Sequence, residues 1–547
     1  MYVRVKHTEI SGHKYDYLQI VTSHREEGKV KQKVVANLGR ADELVATGQL
    51  DRLLGHLSHY SEAYRGFQAF LNGQIDHCVG RSWGPALVFQ RLWEQQRMPE
   101  VLRRLAEGRK FGFDPERVVF ALALQRLCEP GSDLQGSEWV REQEGLPPIE
   151  LHQMYRTAGW LCEVREELER DLFFRDRDLF TQELDLVFLD TTSTYVYRDE
   201  ETEFCKRGYS RDHRSDLPQM VICVAVDGHG WPVAWEMFPG NTADKDAFVK
   251  VIEVLRTRFK IRRVIVVADR GMISKDTIEL LTKDKEAPHS TGSLRVRASG
   301  SKTGQAFDYI LGCRMRTAPD VADLLHMTRE LDYVTDNMAV AERTLDGKRY
   351  VVCYNEEQAK KDAAAREAIL GDLESKLESG EAKSLVGNTG YRRFLKGEKG
   401  AWRIDRDKVR DDALYDGTFV LRTNTELPAA EVAKTYKGLW RVERTFREEK
   451  STLQLRPLFH HCDDTRIGHI VASFLALRLE VDLQRQLDDK KMKIPWPDLM
   501  RDLKRVQAVH MDLAGRRFTV RTDLPLIAAK VFKSLSLHPP PRISHTS

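Results

Sequence analysis

The sequence predicts a mixed α/β protein. A sheet carries helices on both faces, is interrupted by an insertion, and follows a mainly helical N-terminal domain. Three observations predict it. Two apolar runs, LDLVFLD (184–190) and RRVIVVAD (262–269), each end on an aspartate. Between them QMVICVAVD and WPVAWEMF flank Asp227-Gly228-His229-Gly230, a hairpin signal. DKDAFVKVIEVLRTRF then places Phe248, Val251, Ile252, Leu255 and Phe259 on one helical face. With the helix-like SKDTIELLTK that follows, the order is strand, strand, strand, helix, strand, helix.

Taken in order, residues 1–45 read as a small β unit, because YDYLQIV and KVKQKVVANL alternate apolar and polar residues around the turn-like SHREEGK. Residues 46–180 have helical texture, as in PALVFQRLWEQQ and PERVVFALALQRLC, broken by Pro130-Gly131. The sheet-forming core begins at 181 and runs to 284. An insertion at 285–425 holds the Gly/Ser-rich STGSLRVRASGSKTGQ, the strand candidates RYVVCYN and GTFVLRTN, and a charged helix, EEQAKKDAAAREAILGDLESKLE. Helical periodicity returns for the second half of the core, 426–488. The segment 489–547 is expected to be a helical tail with a Pro-rich end, HPPPRI.

At 547 residues the chain exceeds one hydrophobic core. Its 41% hydrophobic and 31% charged residues describe a folded, soluble protein. With 86 basic and 83 acidic residues the net charge is +3, so any nucleic-acid surface must come from local clustering. Eight scattered cysteines form no CxxC pair, which speaks against a zinc ribbon or disulfide framework and fits a reducing cytoplasm. MYVRVKHTEI lacks a signal-peptide core, and the apolar IVASFLALRLEV is interrupted by Arg478, so no membrane span is expected.

The chemistry rests on three carboxylates. Asp190 and Asp269 each end a strand, where α/β sheets bind ligands. Singly, either aspartate would more often cap a turn; paired in this strand order they point to a common site. The third lies in YKGLWRVERTFREEKSTLQLRP, where Tyr436, Glu443 and Lys450 stand seven apart and would share one helical face. The plain alternative is a solvated helix with salt bridges, yet Trp440, Val442 and Phe446 put apolar groups beside that face. Three converging carboxylates repel one another unless a hard cation such as Mg²⁺ joins them. Arg444, Arg447 and Lys450 would then hold backbone phosphates without reading sequence.

These residues carry a family resemblance. The chain resembles the bacterial insertion-sequence transposases of the DDE class, the group with a Tyr-Arg-Glu-Lys signature. Three motifs match: LDTTS (189–193), VADRGM (267–272) and YxxxWxVExxFxxxK (436–450). GYSRDHRSDLPQ and FPGNT (238–242) also look like family segments, and the likeness runs from about 185 to 480. It implies a ribonuclease-H-like core, with Asp190, Asp269 and Glu443 as catalytic residues and ligands of two Mg²⁺ ions, Mn²⁺ substituting. Tyr436, Arg444, Arg447, Lys450 and Arg270 become DNA contacts. The signature arginine falls at 439, where this chain has Leu439, and Arg441 lies about 200° further round the helix.

The resemblance implies a cut-and-paste DNA transposase that cleaves at terminal inverted repeats and transfers the freed strand into target DNA. Its partners are double-stranded DNA and a second copy in a synaptic homodimer, with no membrane. The setting is a bacterial cytoplasm at the nucleoid, and 46–180 becomes the DNA-end-binding domain. The rival readings are a catalytically silent DNA-binding derivative and a ribonuclease-H-like nuclease that cannot join strands. His460, His461, Cys462 and His469 lack a second paired set, so zinc is disfavoured there. Trp402 and Tyr415 are read as core before base-stacking. The loop Arg211-Asp212-His213-Arg214 is either a DNA contact or a solvated turn.

Overall fold

The alternating N-terminal residues form an antiparallel meander of β1 (Tyr2–Ile10), β2 (His13–Glu26) and β3 (Lys29–Arg40). Two short helices, Ala41–Ala46 and Gln49–Ser58, follow. The computed structural model describes all residues except 11, 27–28, 59, 62–71, 74–76, 177–185, 212, 262–263, 273, 283–306, 317, 329, 336, 380–388, 398–401, 452, 454, 514–515 and 547. STGSLRVRASGSKTGQ therefore lies outside the described residues. The chain divides into two units, 1–84 with 496–547, and 85–495.

The first unit contains a second sheet, built from both ends of the chain. Its strand β4 (His77–Ser82) falls within the stretch expected to be helical. The segment 489–547, expected as a helical tail, has helices Trp496–Lys504 and Leu526–Ser534 but also three strands. The strand-forming parts are QAVHMDL and RRFTVR, whose alternation is too short to stand out from the sequence.

The second unit is organised by a nine-stranded sheet. Its first strands are β5 (Leu186–Tyr195), β6 (Gln219–Asp227), β7 (Pro232–Pro239), β8 (Ile265–Ala268) and β9 (Asp308–Gly312). Then come β10 (Asp332–Thr335), β11 (Met338–Leu345), β12 (Lys348–Asn355), a small separate pair β13 (Leu395–Lys396) and β14 (Arg403–Ile404), and β15 (Thr418–Thr423). The spatial order is β10-β11-β12-β15-β9-β8-β5-β6-β7. β5, β8 and β9 are parallel neighbours, and every other pairing is antiparallel. Within 285–425, β9 to β12 and β15 thus continue the sheet begun by β5, while β13 and β14 stand apart. The remaining strands β16 (Gln507–Leu513), β17 (Arg516–Arg521) and β18 (Ile543–Thr546) belong to the first unit, where they join β4 in the order β18-β17-β16-β4.

Side-chain alternation divides the work of the sheet. Val187, Leu189, Val266, Ala268, Tyr309 and Leu311 share one core with Phe248, Val251, Ile252 and Leu255 of the helix Asp244–Thr257. The intervening Phe188, Asp190, Val267 and Ile310 therefore face the other way. The helices Ala429–Lys437 and Trp440–Ser451 pack there against β5, β8 and β9. Two long helices, Leu151–Asp176 and Asp463–Asp489, cross so closely that a methyl at Gly468 would collide with the Ala158 carbonyl. PERVVFALALQRLC forms a helix buried almost all round, Pro115–Cys128, capped by Asp114 accepting from the Glu116 amide.

One buried ionic cluster ties helix to sheet. Glu169 accepts from the Trp235 amide at 2.7 Å. Arg258 donates to Glu169 and, at 2.5 Å, to Glu236. Burial, followed by the charge of Glu236, pushes the Glu169 carboxyl up. Removing the guanidinium leaves two desolvated carboxylates side by side. Arg258→Met is expected to cost about 3–5 kcal/mol, read from denaturant midpoints. Acids raised by folding lose stability as pH climbs from the usual carboxylate range through their folded values, so the deficit should be larger at pH 8 than at pH 5.

Candidate functional site

Strand register builds the site. In the parallel ladder Leu189 pairs with Ala268, so Asp190 and Asp269, one step further on, stand beside each other where that ladder stops. Asp269 directly follows β8, but Asp190 lies mid-strand, because β5 runs on to Tyr195 along β6 instead of ending on the aspartate as its apolar run suggested. Alternation turns both toward the face covered by the helices that carry Tyr436 and Glu443. A cleft of about 360 Å³ is lined there by Asp190, Asp269, Tyr436, Lys437, Leu439, Trp440 and Glu443, with Phe419 from β15 and Val442 completing it. The structure thus brings the three carboxylates to one cleft without closing them into a tight ligand cluster. Among the described residues, the only His, Cys, Asp or Glu trio with ligand atoms within 4.8 Å of one another is Asp133, His460 and His469.

Asp190 is held in detail. Its side chain is 20% exposed. Burial pushes its carboxyl up to about 6, against the pull of Arg211 and the Thr191 amide, which donates at 2.7 Å. Arg211 Nη1 lies 3.4 Å from Asp190 Oδ1 and donates to the Thr191 carbonyl. Its Nη2 reaches Thr191 Oγ1 at 2.6 Å and Asp244 Oδ2 at 3.1 Å, while Thr191 Oγ1 donates to Asp244 Oδ1 at 2.7 Å. Asp244, in the first turn of its helix, does not stand out in the sequence. Its signal was adjacency to FPGNT. Of the two readings of the Arg211 loop, neither anticipated this clamp on the middle of β5.

Tyr436 and Glu443 do not share one unbroken helix, as seven-residue spacing suggested. The helices break at Gly438, where Gly438 N bonds Thr435 O at 2.8 Å and Leu439 N bonds Tyr436 O at 3.0 Å, a tight i to i+3 turn. Gly438 has an ordinary helical φ of −64°, so it is needed for space. A methyl there would come within 2.5 Å of Phe188 Cζ and 2.8 Å of the Thr435 carbonyl. The glutamate helix is thus pressed onto β5 through a glycine.

The remaining candidates separate. The Tyr436 hydroxyl donates to Asp269 Oδ1 at 3.1 Å. Arg270 is exposed in the turn after Asp269. Arg444 turns away from the cleft, donating to Gln484 and lining a second pocket with Trp440, Arg441 and Arg485. Leu439 is buried at the cleft wall, and Arg441 lies over Phe188 and Trp440 at 5.6 and 5.3 Å. The side chains of Arg447 and Lys450 lie outside the described residues. Trp402 and Tyr415 pack against separate apolar clusters.

The oxygen donors of the cleft, three carboxylates and the Tyr436 hydroxyl, fit a hard divalent cation, and one of the carboxylates is desolvated enough to hold its proton more tightly than usual. The histidine trio does not fit one. Arg126 Nη2 lies 2.9 Å from Asp133 Oδ1 and 3.0 Å from His469 Nδ1, so a permanent cation already sits among those donors. Burial pushes both imidazoles down, and His460 Nε2 lies 3.0 Å from His469 Nδ1. This is a buried hydrogen-bond network between helices. Of the other two residues weighed for zinc, His461 contacts Arg198 at 2.8 Å and Cys462 is exposed.

Two family models match the chain: "IS1634 family transposase, N-terminal domain" over residues 3–68, and "Transposase DDE domain" over residues 181–479, more than half its length. No curated protein matches. Among solved structures, the piggyBac transposase synaptic complex with hairpin DNA aligns at TM-score 0.40 and 9% identity, over 77% of this chain and 79% of that one. A likeness that low carries no weight for the site.

The glycine joint gives a test of the packing. Gly438→Ala is expected to destabilise by about 1–3 kcal/mol through overpacking. Gly371 lies inside the helix Glu356–Glu378, and a methyl there would meet nothing within 4 Å. Gly371→Ala should instead stabilise by roughly 0.5–1 kcal/mol. Thermal midpoints of the two variants should move in opposite directions.

Proposed function

The chain belongs to the transposase DDE domain family, and on that premise we propose that Asp190, Asp269 and Glu443 are its metal-holding triad. Family membership makes it a DNA transposase, an enzyme that cleaves DNA and transfers a strand with the help of divalent metal. The single observation that carries the residue assignment is the register. Asp190 and Asp269 each follow the last pair of the β5–β8 parallel ladder on one face, and Glu443 lines the same cleft. The antiparallel β5, β6 and β7 followed by the parallel β8, with a helix between, support a ribonuclease-H-like core.

Two Mg²⁺ ions, with Mn²⁺ as substitute, would supply the charge that stabilises attacking and leaving oxygens in an in-line phosphoryl displacement. The protein's own part is to place the donors. Arg211, Thr191 and Asp244 fix β5 beside Asp190, and Gly438 presses the Glu443 helix onto that strand. Arg270, with Arg447 and Lys450, would hold backbone phosphates, whereas Arg444, turned toward Gln484, could reach DNA only away from the cleft. The substrate ends would be terminal inverted repeats, engaged by 46–180 in a synaptic homodimer at the bacterial nucleoid. No helix among the described residues is long and apolar enough to cross a membrane.

A labelled duplex ending in the element's inverted repeat tests the reading. Nicking at the repeat and joining to a second duplex should require Mg²⁺ and stop with EDTA. Asp190→Asn, Asp269→Asn and Glu443→Gln should each lose at least about a hundredfold in rate, several kcal/mol of transition-state stabilisation. Specific binding without cleavage would favour a silent derivative, and cleavage without joining a nuclease.

Metal binding should also depend on pH. With the Asp190 carboxyl at about 6, protons compete with the ion below that value and not above it. Mn²⁺ affinity measured by calorimetry should be flat above pH 7 and fall roughly tenfold per unit below about 6. Flat affinity down to pH 5 would remove Asp190 from the ligand set.

A further inference from the structure

The parallel pairing of three strands stops in step at the cleft. Leu189 pairs with Ala268, and Ala268 with Leu311. The next residues across β5, β8 and β9 are Asp190, Asp269 and Gly312. Two of these positions carry carboxylates and the third carries no side chain. Gly312 is not among the glycines with positive φ, so its backbone does not call for glycine. Space does. A methyl at Gly312 would collide with the Tyr436 hydroxyl and come within 3.0 Å of Cζ and 3.3 Å of Cε2.

Tyr436 fills that space from the helix Ala429–Lys437. Its ring stacks on Phe419 of β15, with centroids 5.9 Å apart and planes at 25°. Its hydroxyl donates to Asp269 Oδ1 at 3.1 Å. One oxygen of Asp269 is thereby engaged, and the other is left for a ligand. A phenol tied in this way would have to break its bond to Asp269 before it bonded a DNA phosphate.

We propose that Gly312 and Phe419 form a socket that seats Tyr436, and that Tyr436 is a positioning residue which orients the Asp269 carboxylate. The proposal rests on the metal role assigned to Asp269. It gives the segment between Asp269 and the glutamate helix a direct part in the site, since both socket residues come from it. Outer hydrogen bonds to a ligating carboxylate fix its orientation, and losing one typically weakens metal binding by roughly 10- to 100-fold.

The test uses the full chain in four variants: Tyr436→Phe, Gly312→Ala, the two combined, and Asp269→Asn. Mn²⁺ affinity is measured by calorimetry, and kcat and KM on the inverted-repeat duplex. Tyr436→Phe should weaken Mn²⁺ binding about tenfold or more and lower kcat, with KM for DNA unchanged. Gly312→Ala should do the same while the hydroxyl is present. In the Tyr436→Phe background the worst collision is gone, so the combined variant should be no weaker than Tyr436→Phe alone. Unchanged Mn²⁺ affinity with a raised KM in Tyr436→Phe would overturn the proposal and make Tyr436 a DNA contact. Asp269→Asn separates the two levels. If it abolishes Mn²⁺ binding while Tyr436→Phe does not alter it, only the positioning role fails; if it too leaves binding intact, the metal assignment fails. Should Gly312→Ala not fold, Tyr436→Phe decides alone.

Discussion

The site depends on the parallel pairing of β5 with β8 and of β8 with β9. A slip of one residue in either ladder would send an aspartate into the apolar core and a core residue into the cleft, because side chains alternate with period two. The register is fixed on the buried side. Val187, Leu189, Val266, Ala268, Tyr309 and Leu311 interlock with the helix Asp244–Thr257, which leaves little freedom to shift. Packing on one face thus sets chemistry on the other.

The cleft is held by different means on its two sides. The Asp190 side is polar: Arg211, Thr191 and Asp244 exchange four hydrogen bonds around the middle of β5. The Glu443 side is steric, with Gly438 letting the helix joint close onto Phe188. A polar clamp tolerates small shifts at modest cost, whereas a glycine contact permits none without repacking. Rigidity at the glutamate therefore comes from shape.

Much of this was legible in the sequence, for identifiable reasons. The strand that stops at Asp269, the hairpin at Asp227–Gly230 and the helix Asp244–Thr257 are local patterns, and each formed where the residues suggested. The strand through Asp190, by contrast, runs on to Tyr195 because its polar TTSTY stretch still pairs with β6. What the sequence hid was non-local. Nothing near Gly312 announces that a tyrosine over a hundred positions later needs its space, and β15 and β12 look like any short apolar run until they join β9. Helical periodicity ran through Gly438 because the turn there keeps helical φ, so the break was invisible. Arg211 and Asp244 were obscured by their type, since charged residues beside turns usually face solvent. The strands of the C-terminal segment were missed because their partner, β4, lies at the other end of the chain.

Where β12 hands over to β15, the chain leaves and returns at one point. Tyr354 pairs with Thr418, and the Asn355 amide bonds the Gly417 carbonyl at 2.8 Å. Gly417, at φ +62°, closes that neck so tightly that a methyl would collide with the Asn355 carbonyl. Between them the described residues include the helix Glu356–Glu378 and the pair β13-β14, and Asp412 is tied back by an ion pair with Arg316 at 3.0 Å. Doubling the length of such an excursion costs only about 0.6 kcal/mol in closure entropy. Length added inside the excursion, away from the neck, therefore leaves the strands on either side paired, so a reporter or a targeting module is better spliced there than at the neck itself.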